Sequence, residues 1–309
     1  MKAFAISAKL KINVHDLNNE LSAGNVSDIR QIDMIDLHGN VITVPAVSGR
    51  MLKHWHYTHY RTQIPEDKLC EACKVGEPLR PAFVRTEKGE LSQVKPKGMD
   101  DIKKIIKECA VCDLHGYLIA TKEKGAEEGT STRRTSRAMF SWLLPVLDAP
   151  SASRQVIHTR VTAAATEDTS QMIFNKSYAS ADYAFVSYLD ASKVGVMEDI
   201  NEMLLENNEV KERVKAAILA YLHMLSGKTG ASLSHALPHV DVLSVLVAYS
   251  KEGQFPVPVS PIYPDYISKT MGMMPSGVKL LGYGEAGEAE GVEKFGKLNE
   301  LFNKVLGEL

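Results

Sequence analysis

The chain has 309 residues, of which 44% are hydrophobic, and 36 basic against 38 acidic side chains give a formal net charge of −2. This apolar content is enough to bury a core, which excludes global disorder. No run of about 18 apolar residues is present and the alternating N-terminus is unlike a signal peptide, so we expect a cytoplasmic protein with no membrane partner. The near-neutral charge at first argues against a nucleic-acid binder.

Hydrophobic periodicity predicts the secondary structure. Residues 121–137 are charged and poor in apolar side chains, which predicts a loop, and residues 164–170 are predicted to be the tip of a weakly packed hairpin. The first third of the chain is predicted to contain a half-buried strand at 3–14, a hairpin of 32–37 and 41–44, a helix beginning after an N-cap at Ser48, a loop-rich segment at 61–100 and a helix at 100–109. Strands are predicted next, at 136–146, 154–163, 171–177 and 182–190. The last part is predicted to contain a helix at 208–225 closed by Ser226-Gly227, a strand at 240–249, a loop-rich segment at 253–277 and a helix at 288–308. This order is a mixed α+β pattern with antiparallel hairpins.

All four cysteines lie in two CxxC pairs, Cys70 with Cys73 and Cys109 with Cys112. Two residues between thiolates suit one edge of a tetrahedral zinc site, and two such pairs complete a shell with no open coordination position. The gap between the pairs exceeds the usual zinc-ribbon spacing of about 15–20 residues, which weakens the match. The spacing predicts a structural zinc site, with buried free thiols, a disulfide or a redox pair as alternatives.

The strand-to-helix junction at Ser48-Gly49-Arg50 has the composition of a phosphate site. A helix N-terminus presents free N–H groups and partial positive charge. Gly49 removes a side chain that would block close approach, and Arg50 and Lys53 add cationic donors. The alternative is that Arg50 simply lies on a solvated face.

Motifs typical of catalysis are not found. The sequence has no nucleophile elbow, HExxH or paired-carboxylate motif. His15 or His235 is a conceivable general base for RNA cleavage. His54, His56 and His59 do not share one helix face, so we expect packed or solvated histidines rather than metal ligands.

Several segments, in the same order along the chain, resemble the CRISPR-associated backbone subunit of archaeal type I-A Cascade, a family of the RAMP superfamily. The most specific are SGRMLKHWH at 48–56 and SGKTGASL at 226–233. The others are INVHDLN at 12–18, DLHGYL at 113–118, HTRV at 158–161 and SQMIF at 170–174. The resemblance spans roughly residues 3–265.

The resemblance implies a single domain with an RRM-like (ferredoxin-like) antiparallel palm, a helical finger insertion at 61–130 that contains the CxxC pairs, and a thumb hairpin at 156–182. A loop-rich segment is expected at 251–287. It also implies copies of the chain in a helical filament along CRISPR RNA, joined by other Cascade subunits. The filament presents the guide for pairing with target DNA in antiviral defence, and family members are not nucleases.

Carried over by position, the resemblance implies contacts with the RNA from the first loop, the α-helix N-terminus, an arginine-rich strand, the thumb and a glycine loop. The residues are Asn18, Ser48, Gly49, Arg50, Lys53, His54, Arg133, Arg134, His158, Arg160, Gln171, Met172, Ser226, Gly227, Gly230 and Ala231. Met172 would wedge against a base step. The thumb has no lysine or arginine between Val161 and Ile173, so strong electrostatic contacts from its tip are not expected.

Two other functions stay open at this point. One is a RAMP-type guide-processing endoribonuclease with His15 or His235 as its base. The other is a transcriptional regulator, since some relatives are labelled autoregulators, although no helix-turn-helix pattern supports it. When the net charge is counted region by region, acidic stretches elsewhere offset the basic residues most relevant to RNA. The near-neutral total therefore does not exclude an RNA-binding protein.

Overall fold

The computed structural model describes residues 1–14, 17, 21–23, 26–121, 130–147, 149–160, 172–228 and 237–309, with only the backbone described at 21–23, 26–28, 121, 130, 157–160 and 172–176. The strands are β1 (Ala3–Asn13), β2 (Leu21–Ala23), β3 (Val26–Asp28), β4 (Gln31–Ile35), β5 (Val41–Pro45), β6 (Val84–Arg85), β7 (Leu91–Ser92), β8 (Tyr117–Thr121), β9 (Thr130–Arg134), β10 (Ala138–Phe140), β11 (Leu144–Pro145), β12 (Ser151–Arg160), β13 (Met172–Leu189), β14 (Val196–Met197), β15 (Glu202–Met203), β16 (Val240–Ser250), β17 (Lys279–Gly284) and β18 (Glu293–Phe295). The helices are α1 (Gly49–Thr62), α2 (Glu71–Val75), α3 (Met99–Glu108), α4 (Ala110–His115), α5 (Asn207–Leu225), α6 (Tyr266–Met273) and α7 (Leu298–Gly307).

Ten of the described strands form one sheet around β1 and β13. Its order is β18–β17–β16–β1–β13–β3–β2, and β10, β11 and β12 also pair with β13. The pairs are antiparallel except β13 with β3 and β17 with β18. Phe4 of β1 lies opposite Leu189 on one side and Tyr249 on the other. The predicted mixed α+β class with antiparallel pairing is confirmed.

The two longest helices pack on one face of this sheet. The rings of His56 in α1 and Tyr221 in α5 lie 4.3 Å apart, and Tyr221 contacts Phe4 of β1 at 5.3 Å. Leu52 and Trp55 of α1 belong to the same buried cluster. Apolar residues three and four apart on each helix therefore form the main core with β1.

The prediction that the first strand is half-buried is wrong, because β1 is buried on both faces. Ala3 and Ala5, on the face away from α1, pack with Tyr188, Ala248 and Phe255. Phe255 belongs to the proline-rich segment that follows β16. This segment covers the second face of the sheet and also contains α6, where the sequence predicted only loop.

Most of the other predicted elements are confirmed: the β4–β5 hairpin, α1 with Ser48 as N-cap, α3, α5 and the strand β16. The two strands predicted at 171–177 and 182–190 form one strand, β13, because β12 pairs with its first half and β1 with its second. The final helix is shorter than predicted because residues 293–295 pair with β17 instead.

The arginine-rich end of the predicted loop 121–137 is also a strand. Thr130–Arg134 forms β9 and pairs with β8, while residues 122–129 lie outside the described part. β12 and β13 pair within the segment 156–182 and beyond it, and the predicted hairpin tip at 164–170 lies outside the described part. The predicted domain boundaries stay predictions. No helix among the described residues is both long and apolar enough to cross a membrane.

Candidate nucleic-acid interface

The N-terminus of α1 is built to attract an anion. Ser48 is the N-cap, and its hydroxyl oxygen accepts a hydrogen bond from the Met51 amide at 3.4 Å. The amides of Gly49 and Arg50 have no acceptor among the described residues, as the geometry of a first helical turn dictates. The first turn carries no acidic side chain. Two free N–H groups and the positive end of the helix dipole therefore point out of α1.

Gly49 is required here by packing, not only by access for a ligand as the sequence suggested. A Cβ atom at this position would lie 2.5 Å from the carbonyl oxygen of Phe140 and 2.8 Å from that of Ser141. Paired backbone hydrogen bonds between Val47 and Leu143 bring the segment after β10 to the start of α1. Only glycine lets the helix begin against that segment.

A cleft of about 620 Å³, here called the basic cleft, opens beside this junction. Its cations are Arg30, Arg50 and Lys53, and no acidic residue lines it among the described residues. Within the same described set, none of the three side chains makes an ion pair or hydrogen bond with the protein. The lining also includes apolar side chains, of which Trp142 and Met139 are exposed.

A second pocket of about 280 Å³, here called the Arg80 pocket, adjoins the basic cleft and shares Arg50 and Lys53 with it. Its other side chains include His54, Tyr57 and Arg80. Burial, and next the charge of Arg80, lower the pKa of Lys53 to about 8 and also lower the pKa of His54. An anion in either pocket would favour the protonated form of Lys53.

The arginine-rich strand does not line either pocket. Arg133 is exposed on β9, whereas its neighbour Arg134 is buried. Arg134 contacts the Asp113 carboxylate and donates to the backbone oxygens of Asp113 and Val196 at 2.9 Å each. Asp113 also accepts from Arg213 at 2.8 Å and from the Gly195 amide. We call these groups the Asp113 cluster, and its contacts hold α4, α5 and β9 together.

The remaining predicted contacts fall elsewhere. Asn18, Gln171, Gly230 and Ala231 lie outside the described residues, as do His15 and His235. His158 pairs with Phe174, and Arg160 with Met172, across the β12–β13 hairpin, with the side chains of all four undescribed. Ser226 ends α5 and Gly227 follows with φ 85°. The Nε2 atom of His59 in α1 lies 2.8 Å from the Lys228 carbonyl oxygen, so this loop lies near the C-terminal end of α1.

His56 is a packed histidine, as expected. Its Nδ1 lies 3.1 Å from Nε2 of His115, and its Nε2 lies 2.9 Å from the Ala217 carbonyl. Burial lowers the pKa of His56 to about 3 and also lowers that of His115. Both rings are therefore neutral at physiological pH and belong to the core.

The four cysteines converge, as their spacing predicted. All are buried and free, and their sulfur atoms lie within 4.8 Å of one another. The Sγ of Cys112 is 3.9 Å from that of Cys70 and 4.0 Å from that of Cys73. A tetrahedral ion with bonds of about 2.3 Å to sulfur would place the sulfurs about 3.8 Å apart. This four-cysteine cluster has the ligand type, number and spacing to hold a metal.

Comparison with known proteins identifies the family. The matching family model is described as "CRISPR-associated negative auto-regulator DevR/Csa2" and covers residues 6–271. This chain belongs to the DevR/Csa2 family. The resemblance found in the sequence is thereby confirmed.

Curated relatives of this DevR/Csa2 member come from archaea. A "CRISPR-associated protein Cas7/Cst2/DevR" of Methanocaldococcus jannaschii is 30% identical, covering 98% of this chain and 99% of the relative. A "CRISPR-associated aCascade subunit Cas7/Csa2 2" of Saccharolobus solfataricus is 26% identical, covering 85% and 84%.

Two solved structures share the fold of the DevR/Csa2 chain. One is a chain of a "CRISPR RNA-guided surveillance complex", with a TM-score of 0.57, and the other a chain of such a complex in a pre-nicking state, with 0.60. In each case 10% of residues are identical and 99% of both chains is covered. At this identity the likeness concerns the fold alone.

Sequence reasoning missed several side chains that the DevR/Csa2 fold brings to the two pockets. They are Arg30, Tyr57, Arg80, Met139 and Trp142. Arg30 precedes a hairpin, Arg80 lies in a proline-rich loop, and Trp142 follows a short strand. These three residues lie in no motif, whereas Tyr57 directly follows the SGRMLKHWH string. Met139 and Trp142 lie in a stretch predicted as strand, and only the structure shows that their side chains are exposed.

Proposed function

We propose that this DevR/Csa2 member is a non-catalytic backbone subunit of a type I-A Cascade that binds CRISPR RNA through the basic cleft. The observation that carries the proposal is the combination of two free amides at the N-terminus of α1 with three cations that have no partner among the described residues. Phosphates of a polynucleotide supply the missing acceptors. Base-specific contacts are not needed, as a subunit that holds guides of many sequences requires.

The exposed apolar side chains of the basic cleft suit the rest of a nucleotide. Trp142 offers an aromatic face on which a base can stack, and stacking of this kind tolerates any base sequence. The cleft therefore combines a backbone site with an apolar platform, the two parts found in proteins that hold single-stranded nucleic acid.

The strand order supports the RRM-like palm. In chain order the central elements are β1, α1, β10 with β11, β13, α5 and β16, and in the sheet the strands run β16–β1–β13 with β10 and β11 on the outer side of β13. This order is the one expected of a ferredoxin-like β-α-β-β-α-β unit and supports the proposed palm. The segments 61–130 and 156–182 are then the finger and the thumb inserted into that palm.

Two of the comparisons support assembly. The solved neighbours are chains of complexes described as CRISPR RNA-guided, and one relative is described as a Cascade subunit. By the same reasoning we propose that copies of this chain form a filament along the guide with other Cascade subunits. The guide is then presented for pairing with target DNA.

Co-expression tests this function directly. The chain is produced together with a CRISPR transcript, purified at about 150 mM salt and examined for bound RNA. We expect RNA of guide length, protected from added nuclease. Absence of RNA would overturn the proposal, and site-specific cleavage of repeat RNA by the isolated chain would favour the endoribonuclease. Specific binding of duplex DNA without RNA would favour the regulator that the family description names.

We further propose that the four-cysteine cluster holds a structural zinc ion, since four thiolates complete a tetrahedral shell and leave no position for chemistry. Metal analysis should find about one zinc per chain, which Cys112→Ser abolishes. Lys74→Ala is a matched control, because Lys74 lies exposed beside Cys73 and its side chain pairs, within the described part of the chain, with Glu71 alone. Four thiols that react readily in the native protein, or a native fold without zinc, would contradict this.

A further inference from the structure

The Arg80 pocket is not explained by the basic cleft alone. It shares Arg50 and Lys53 with the basic cleft, and it adds the side chains of His54, Tyr57 and Arg80. No acidic residue lines it among those the structure describes. Three basic side chains and an imidazole thus line one small volume with no counter-charge from the described residues, an arrangement that attracts an anion.

Arg80 itself is held in place but not neutralised. Its guanidinium carbon lies 4.7 Å from the centre of the Tyr57 ring, in a cation–π contact. Its Nη1 group is buried without a hydrogen-bond acceptor, as is the Tyr57 hydroxyl, within the described structure. Burial raises the pKa of Tyr57 to about 12, so this hydroxyl is a proton donor. Both residues line the pocket, and each carries a buried donor without an acceptor among the described residues.

The position of Arg80 is set by the chain around the four-cysteine cluster. The Arg80 carbonyl accepts from the Gln93 side chain at 3.1 Å, and the Ala82 carbonyl accepts from the Ala72 amide at 3.4 Å. Ala72 lies on α2, between Cys70 and Cys73. Arg61 of α1 donates to the Lys74 carbonyl at 2.8 Å and so ties α2 to α1. Arg80 is thus fixed over the helix that carries Lys53.

We infer that the Arg80 pocket binds a second backbone phosphate of the RNA, adjacent to the one at the N-terminus of α1, with Arg80 and the Tyr57 hydroxyl as its donors. The inference rests on the proposed function and deepens it. Arg50 and Lys53 lie between the two sites and contact both phosphates. The RNA backbone then crosses α1 from the basic cleft toward the finger insertion.

The test compares Arg80→Ala with Arg85→Ala. Arg85 lies in the same insertion, half-exposed on β6, and is paired with Glu71 at 3.6 Å. Affinity for a single-stranded RNA of guide length is measured as salt is varied. Arg80→Ala should weaken binding at least about tenfold, the loss expected for a charge-assisted hydrogen bond, and reduce the salt slope by about 0.7. Arg85→Ala should change neither.

Two further variants test the planar guanidinium group of Arg80 and the hydroxyl group of Tyr57 separately. Arg80→Lys keeps the charge but not the planar fork and should recover only part of the affinity. Tyr57→Phe keeps the ring under Arg80 but removes the hydroxyl, and should weaken binding less than Arg80→Ala. Unchanged affinity and salt slope in Arg80→Ala, with RNA still bound by the wild type, would overturn this inference and leave the proposed function standing. Failure of the wild type to bind RNA would overturn the proposed function itself.

Discussion

Two groups of arginines in this protein have opposite surroundings. In the Asp113 cluster, Arg134 and Arg213 are buried, and both contact one fully buried carboxylate. In the basic cleft, Arg30 and Arg50 are exposed, with no carboxylate among the described residues that line it. The first group is paired with carboxylates within the fold, since Arg213 also pairs with Glu209. The second has no such partner among the described residues, as the proposed RNA site requires. The partner of an arginine, more than its place in a basic stretch, tells whether it is structural.

Removal of the Asp113 carboxylate is expected to have the largest effect of the substitutions that test this difference. Asp113→Asn leaves two buried guanidinium groups without their shared anion, and we expect the free energy of unfolding to fall by about 3–5 kcal/mol. Denaturant unfolding measures this. Asp265→Asn is the control, since its pair with Lys269 is half-exposed and such pairs contribute about 0–1 kcal/mol. A similar small loss in both variants would mean that the cluster is not structural.

A smaller effect is expected for the pH dependence of RNA binding, which tests the cations of the basic cleft. Because the pKa of Lys53 is lowered to about 8, the Lys53 ammonium group of the free protein loses a proton as pH rises above 8. In the complex, the bound phosphate keeps Lys53 protonated. Binding then takes up a proton, and affinity should fall about fivefold from pH 8 to pH 9. Lys53→Arg, which stays charged, should remove this dependence. The same pH profile in both proteins would contradict a phosphate at Lys53.

Local patterns in the sequence predicted the parts of the fold that depend on neighbouring residues. The Ser48 cap, the stripe of α5 and the β4–β5 hairpin follow from capping, helical period and turn residues. The CxxC pairs predicted their own convergence because four thiols of matching spacing satisfy one ion. Burial of β1 on both faces was missed, because its cover is a proline-rich segment about 250 residues away along the chain, beginning near Phe255.

The candidate site was predicted in part, for a similar reason. The junction of Ser48, Gly49 and Arg50 is local, and its motif identified it. Arg133 and Arg134 read alike in the sequence, yet successive residues of a strand point to opposite faces, and only the structure shows that Arg134 faces Asp113. Arg80 lies at the site because α2 and the rest of the insertion pack against α1, and no local sequence pattern encodes this packing.

The salt dependence of RNA affinity tests the central claim most directly. Arg50→Ala combined with Lys53→Ala should lower the magnitude of the slope of log K against log salt by about 1.4, since each phosphate contact of a single strand contributes about 0.7. Lys269→Ala, which removes an exposed lysine of α6, should leave the slope unchanged. Unfolding free energies of all three proteins should agree within about 0.5 kcal/mol. A wild-type slope in the folded double variant would contradict the assignment of the basic cleft as the site that holds the RNA backbone.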